Sequence, residues 1–198
     1  MLYTMSSNEK DTRTKILDAT WKLMEQRRDV GVRMGDIAKS AGISRQAVYL
    51  HFATRIELLS ETTKYVDKIK GLDQRLLAVT EAKDAIEMMN AYVDVWGNYL
   101  PEIHGIAGAL LAVRETDGAA EAAWNECMSC HRDGCGGIVT ALKSEGKLAA
   151  GWTDSMATEM MWVQLSFQTW EQLTIECGWS NEQYIKSMKT VLTQIFVS

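Results

Sequence analysis

Proline is nearly absent from this chain: in 198 residues it occurs once, at Pro101. No run of alternating β-branched residues appears either, and the two absences together favour an all-α chain. Long apolar runs are also missing. HGIAGALLAV is among the longest uncharged stretches, well short of the roughly 18 apolar residues that a membrane span needs. The opening MLYTMSSNEK is polar and soon charged, so no secretory leader is expected and the chain is placed in the cytoplasm. There the four cysteines are expected as thiols rather than as a disulfide framework. No Ser/His/Asp set, paired-carboxylate motif or phosphate-cradling loop is present, which argues against an enzyme and against a bound cofactor.

Charge is unevenly spread over what is there. Residues 1–70 carry 13 Lys/Arg against 9 Asp/Glu, and residues 71–198 carry 8 against 17, so balances of +4 and −9 make up the net −5. A basic front on an acidic remainder suggests that the front meets a polyanion. The segment TRTKILDATWKLMEQR sets Ile16, Thr20, Leu23 and Met24 on one stripe of a helix, with Asp11 or Thr12 available as its cap. Met34, Ile37, Ala38 and Ala41 then fit a helix of two turns, ended by Gly42. Ser44 caps a second short helix that turns Ala47, Val48 and Phe52 inward. Two short helices about a glycine turn make a helix-turn-helix. Thr54 to Glu57 has capping-box spacing and opens a longer helix to Ile69.

The run GDIAKSAGISRQAVYLHFATRIELL resembles the N-terminal signature of the TetR/AcrR family of transcriptional regulators. The matching elements are I-A-x-x-A-G, the I-S turn, V-Y-x-H-F and R-x-E-L-L. Arg33 departs from it, standing where the family often has Thr or Ser. The resemblance implies a helix-turn-helix DNA-binding domain over residues 10–70, with the motif at about 33–52. It also implies a ligand-binding and dimerisation domain over 71–198, in a chain of about nine helices. The major groove admits one helix and is read from near that helix's N-terminus. Ser44, Arg45, Gln46 and Ala47 occupy those positions. Arg45 can fork to guanine, Gln46 can pair with adenine, and Ala47 can touch a thymine methyl. Tyr49 and His51 stand where the family clamps phosphates, and Arg55 is also placed for one. The expected partner is double-stranded operator DNA.

Beyond residue 70, helices are expected over about 82–100, from Pro101 to Arg114, over 119–145, over 153–177 and from Ser180 to Ile195. One short reading helix spans few base pairs, so a homodimer is expected. The 153–177 helix is apolar on two sides: Met156, Met160, Val163, Phe167 and Trp170 on one, Met161, Trp162 and Leu165 on another. Met161 and Leu165, with Tyr184, Met188, Leu192 and Ile195 of the last helix, are the expected pairing residues. The family resemblance implies a pocket for a small, partly apolar organic effector that releases the operator. Met89, Trp96, Tyr99, His104, Trp124, Cys127, His131 and Trp162 are its candidate wall; composition by itself shows only core material there.

The stretch CMSCHRDGC leaves alternatives open. It contains C-x-x-C-H, the letters of a c-type haem attachment, though such attachment would require export. Cys127, Cys130, His131 and Cys135 could instead hold a metal or act as a thiol sensor. Trp124, Cys127, His131, Cys135, Ile138 and Leu142 recur at helical spacing, however, and so also read as one inward stripe.

Overall fold

The computed structural model describes residues 7–28 and 30–198, with side chains from Lys10 onward. Residues 1–6 of the opening on which a leader is discounted lie outside the described ones. Among the described residues the fold is all-α. The helices are α1 (Ser7–Gln26), α2 (Met34–Ala41), α3 (Arg45–His51), α4 (Arg55–Ile69), α5 (Leu72–Thr80), α6 (Ala85–Val113), α7 (Gly118–Ser144), α8 (Asp154–Gln164), α9 (Phe167–Glu171) and α10 (Asn181–Phe196). A π-helical turn, Gln172–Glu176, continues α9. Counting α8, α9 and that turn as the one helix expected over 153–177 gives nine. None of the described helices is long and apolar enough to cross a membrane.

α1 starts at Ser7, so Asp11 and Thr12, expected to cap it, lie inside it; two further expectations fail. Pro101 does not interrupt a helix; it lies inside α6, which runs through it. Proline removes one N–H from the helical ladder, but Tyr99, Leu100 and Ile106 around it are all buried. Their burial outweighs one missing hydrogen bond. The second miss is α5, which starts after Gly71 in the left-handed conformation (φ 68°).

The described chain divides into two compact units, one of residues up to 69 with 103–127, the other of residues 70–102 with 128–198. Residues 103–127, expected with the C-terminal domain, thus group with the helix-turn-helix. In the first unit α1 packs on α2 and α4, and α2 on α3. Its core includes Ile16, Ile37, Val48, Phe52 and Leu58, each fully buried. The second unit is built around Met89, Tyr99, Ile138, Leu142, Met161 and Tyr184, again fully buried.

Close approach inside the second unit depends on α7 carrying glycine at one position. A Cβ on Gly134 would stand 2.5 Å from the Tyr92 hydroxyl and 3.0 Å from its ring, whereas one on Gly137 would meet nothing within 4 Å. The two glycines sit on the same helix and predict opposite signs. Gly134→Ala should cost about 1–3 kcal/mol through overpacking, while Gly137→Ala should add about 0.5–1 kcal/mol of helix propensity. Urea unfolding midpoints of the two variants check this, and a stabilising Gly134→Ala would show that Tyr92 has room to move.

Candidate nucleic-acid interface and effector site

Local hydrogen bonds build α3 at both ends. Gly42 is left-handed (φ 69°) and ends α2, and the Ile43 N–H donates to the Ala38 carbonyl at 3.0 Å. The Ser44 hydroxyl accepts from the Ala47 N–H at 3.1 Å, which starts α3. Thr54 accepts from the Glu57 N–H (3.0 Å) and Glu57 from the Ala53 N–H (2.8 Å), closing a capping box at the head of α4. Arg33 begins α2 without a side-chain cap.

Burial then sorts the residues of α3. Val48 and Phe52 are fully buried, so the opposite edge must face outward. Ser44, Arg45, Gln46 and Tyr49 are exposed; Ala47 and His51 are half-buried. The Arg45 guanidinium lies over the Tyr49 ring, 5.6 Å from its centre. Together these present forked donors, an amide and an aromatic hydroxyl along one edge, a set able to bond base edges and phosphates. Leu50, 82% exposed on that edge, is missing from the sequence-based set. Its place one helical turn after Gln46 was the signal in the sequence, and its exposure suits contact with a thymine methyl.

Two arginines behave differently from Arg45. Arg13 of α1 anchors the far end of α3: its guanidinium lies 4.3 Å from the Phe52 ring centre, and it donates to the His51 carbonyl (3.1 Å) and to Glu61 (2.7 Å). Arg55, expected on a phosphate, donates to protein groups instead, to the Val32 carbonyl and to both oxygens of Asp117.

The candidate effector residues are divided between the two units. Met89, Trp96, Tyr99, His131 and Trp162 belong to the second unit, whereas His104, Trp124 and Cys127 belong to the first. His104 meets Arg28 at 3.3 Å, and Arg114 lies over the Trp124 ring. In the second unit Trp96 packs edge-on to His131 (4.5 Å between centres) and to Tyr99 (5.8 Å), while Tyr92 stacks on His131. The indole N–H groups of Trp96 and Trp162 and the Tyr184 hydroxyl are buried without a hydrogen-bond partner.

His131 is 3% exposed and both of its nitrogens are engaged. Nε2 stands 3.2 Å from the Leu165 carbonyl, and Nδ1 2.8 Å from the Tyr92 hydroxyl. A carbonyl can only accept, so Nε2 carries the proton and Nδ1 is an acceptor; the single Tyr92 hydroxyl proton is shared between Nδ1 and the His131 carbonyl, 3.0 Å away. Leu165 closes α8, so its carbonyl has no helical donor and the histidine supplies one.

The metal alternative has no support in this geometry. With both His131 nitrogens taken, Cys130 exposed and Cys135 buried, no three His, Cys, Asp or Glu among the described residues converge to hold an ion. Burial also pushes the Cys135 thiol up to about 12, away from the thiolate that binds metal or reacts.

The expected pairing residues are largely buried within the chain. Met161, Leu165, Tyr184, Met188 and Leu192 are buried, and Ile195 is half-buried. The apolar side chains that α8 leaves exposed are Met156, Met160 and Val163.

In sequence, the matches to known proteins lie at the front of this chain. The family described as bacterial regulatory proteins, tetR family, matches residues 16–62. The transcriptional regulator AcrR of Shigella flexneri is 41% identical over 51 residues, which are 26% of this chain and 24% of that protein. The chain therefore matches about a quarter of that relative's length. Solved structures match along nearly the whole chain. FadR of Bacillus subtilis, in complex with stearoyl-CoA, has a TM-score of 0.72 at 18% identity, over 92% of this chain and 98% of that one. A transcriptional regulator of Saccharomonospora viridis in complex with choline has a TM-score of 0.71 at 19% identity, over 96% and 99%. At that identity the likeness is one of fold.

Burial holds the His131 pKa down to about 4, against an ordinary 6.5. Between those values the unfolded chain binds a proton that the folded one refuses. The histidine's contribution is therefore complete above pH 6.5 and lost as pH falls toward 4, by about 3 kcal/mol. Tyr92 and Cys135, both pushed upward, stay neutral over that interval. Unfolding free energies at pH 7 and pH 4.5 should diverge more in the parent than in His131→Gln. Equal acid sensitivity in the two would assign the effect to other groups.

Proposed function

We propose that this chain, whose residues 16–62 match the tetR family of bacterial regulatory proteins, is a transcriptional regulator of the TetR/AcrR type that binds a palindromic operator as a homodimer and works in the cytoplasm. Each α3 lies in a major groove, and a small, partly apolar organic effector releases the complex. The observation that carries this reading is the division of α3: Val48 and Phe52 are fully buried while Arg45, Gln46, Tyr49 and Leu50 are exposed. A protein that holds an operator until an effector arrives blocks transcription in the meantime, so repression is its mode.

For pairing, the exposed stripe of Met156, Met160 and Val163 on α8 is the surface we assign to a second copy. Its apolar side chains recur at helical spacing, and methionine adapts to an opposing helix. For the effector, the second unit offers Trp96, Tyr99 and His131 in ring contact. Two buried indole N–H groups there lack partners, and each such donor costs about 1–3 kcal/mol. A ligand with an apolar body and an acceptor oxygen recovers part of that cost. Solved proteins of the same fold hold choline and stearoyl-CoA, both organic ligands. A coupling of about 1–3 kcal/mol would lower operator affinity roughly 5–150-fold.

Selection of bound sequences from random DNA tests the core of this reading. A palindrome with half-sites about one helical turn apart is expected, and recovery of no enriched sequence would overturn it. On the selected operator, Arg45→Ala should cost about 1–3 kcal/mol and relax preference at one base; an equal loss on every sequence would remove Arg45 from base reading. Met160→Asp should shift sedimentation toward the monomer, and an unchanged dimer would place the interface elsewhere.

A further inference from the structure

We propose that Arg55 is a positioning residue for the reading helix, with Asp117 as its fixed partner, and does not serve as a phosphate contact. The proposal rests on the DNA-reading role of α3 given above. Val32 stands just before α2 and Arg55 opens α4, so the two bracket the helix-turn-helix. Arg55 Nε donates to the Val32 carbonyl at 2.6 Å, and Nη1 and Nη2 donate to the two Asp117 oxygens at 2.5 and 2.6 Å. Asp117 is itself held, because its Oδ1 accepts from the Ala119 and Ala120 N–H groups at 3.1 and 3.4 Å, in the first turn of α7. One guanidinium thereby ties both ends of the motif to the turn between α6 and α7, all within the first unit.

Neighbouring residues are fitted to this clasp. A Cβ on Gly31 would lie 2.5 Å from Asp117 Oδ2 and 3.2 Å from Arg55 Nη2, so only glycine lets the pair close. The Arg55 hydrogen bonds hold the Asp117 carboxyl below its usual range. Both side chains are partly buried, 24% and 18% exposed. Moving the guanidinium to a DNA phosphate would exchange one anion for another, leaving a carboxylate and a carbonyl unsatisfied. Only a planar fork meets three acceptors in this layout, so lysine cannot replace it.

Operator affinity of the full chain over a series of salt concentrations, for the parent, Arg55→Gln, Arg55→Lys, Asp117→Asn and the Arg55→Gln/Asp117→Asn double variant, tests the proposal. Each single variant should bind about five- to fiftyfold more weakly, and the double variant no more weakly than the worse single, since one clasp is lost once. The salt slope of Arg55→Gln should equal the parent's. The proposal is overturned if Arg55→Gln lowers that slope by about one per half-site while Arg55→Lys and Asp117→Asn keep parental affinity. A second measurement needs no DNA and stands whether or not an operator is found. Amide hydrogen exchange across residues 34–52 should quicken at least about tenfold in Asp117→Asn, with α10 unaffected. Unchanged exchange there would sink the clasp even if affinity fell. Failure of the parent to select any DNA would count against the DNA-reading role and leave the exchange result to decide on Arg55.

Discussion

A helix of seven residues has no independent stability, because isolated helices shorter than about 12–15 residues are marginal in water. α3 exists because Val48 and Phe52 are withdrawn completely from solvent and because Arg13 lies over Phe52 while holding the His51 carbonyl. Burying two such side chains contributes about 1.5–3 kcal/mol each, enough to fix a segment that its own hydrogen bonds cannot. The same constraint creates the surface proposed to read DNA. With one edge committed to the core, the other is left to Arg45, Gln46, Tyr49 and Leu50, and no rotation of the helix can hide them without exposing Phe52.

Polar groups inside the two units meet the problem of burial in different ways. In the first unit the anchors are charged: Arg13 with Glu61, and Arg55 with Asp117, kept at the rim where water still screens them. In the second unit the buried polar residue is a histidine held neutral, with a donor on one side and an acceptor on the other. That arrangement lets His131 sit in a stripe with Cys135, Ile138 and Leu142, all fully buried, without a counter-ion. The C-x-x-C-H letters are thus a by-product of helix geometry: Cys130 is exposed while His131 points inward.

What was legible in the sequence was local. Gly42, Ser44 and the Thr54–Glu57 box lie within a few residues of the groups they satisfy, so spacing alone announces them. The fold class followed from the same short-range patterns. What stayed hidden needed distant partners. Arg55 reads in the sequence as a phosphate ligand, and nothing local shows that Asp117, 62 residues away, lies beside it. Periodicity showed that α8 has two apolar sides but could not say which one its own unit covers. The burial of Met161 and Leu165 and the exposure of Met156, Met160 and Val163 decide that. Pro101 misled for the same reason, since its local cost is plain in the sequence and the burial that offsets it is not.

Leu165 gives the second unit its internal logic. It ends α8, whose Met160 and Val163 lie within the exposed stripe, and its carbonyl is held by the histidine that packs against Trp96. The aromatic cluster offered to an effector and the helix offered to a second copy therefore share one hydrogen bond. A molecule that turns the His131 ring, by competing for Tyr92 or wedging beside Trp96, strips the end of α8 of its only donor from that ring. A buried carbonyl left unpaired costs about 1–3 kcal/mol, the same size as the coupling that release from an operator requires. Under the proposed function, effector binding and subunit geometry would be linked by a single imidazole, with no long relay of intermediate contacts.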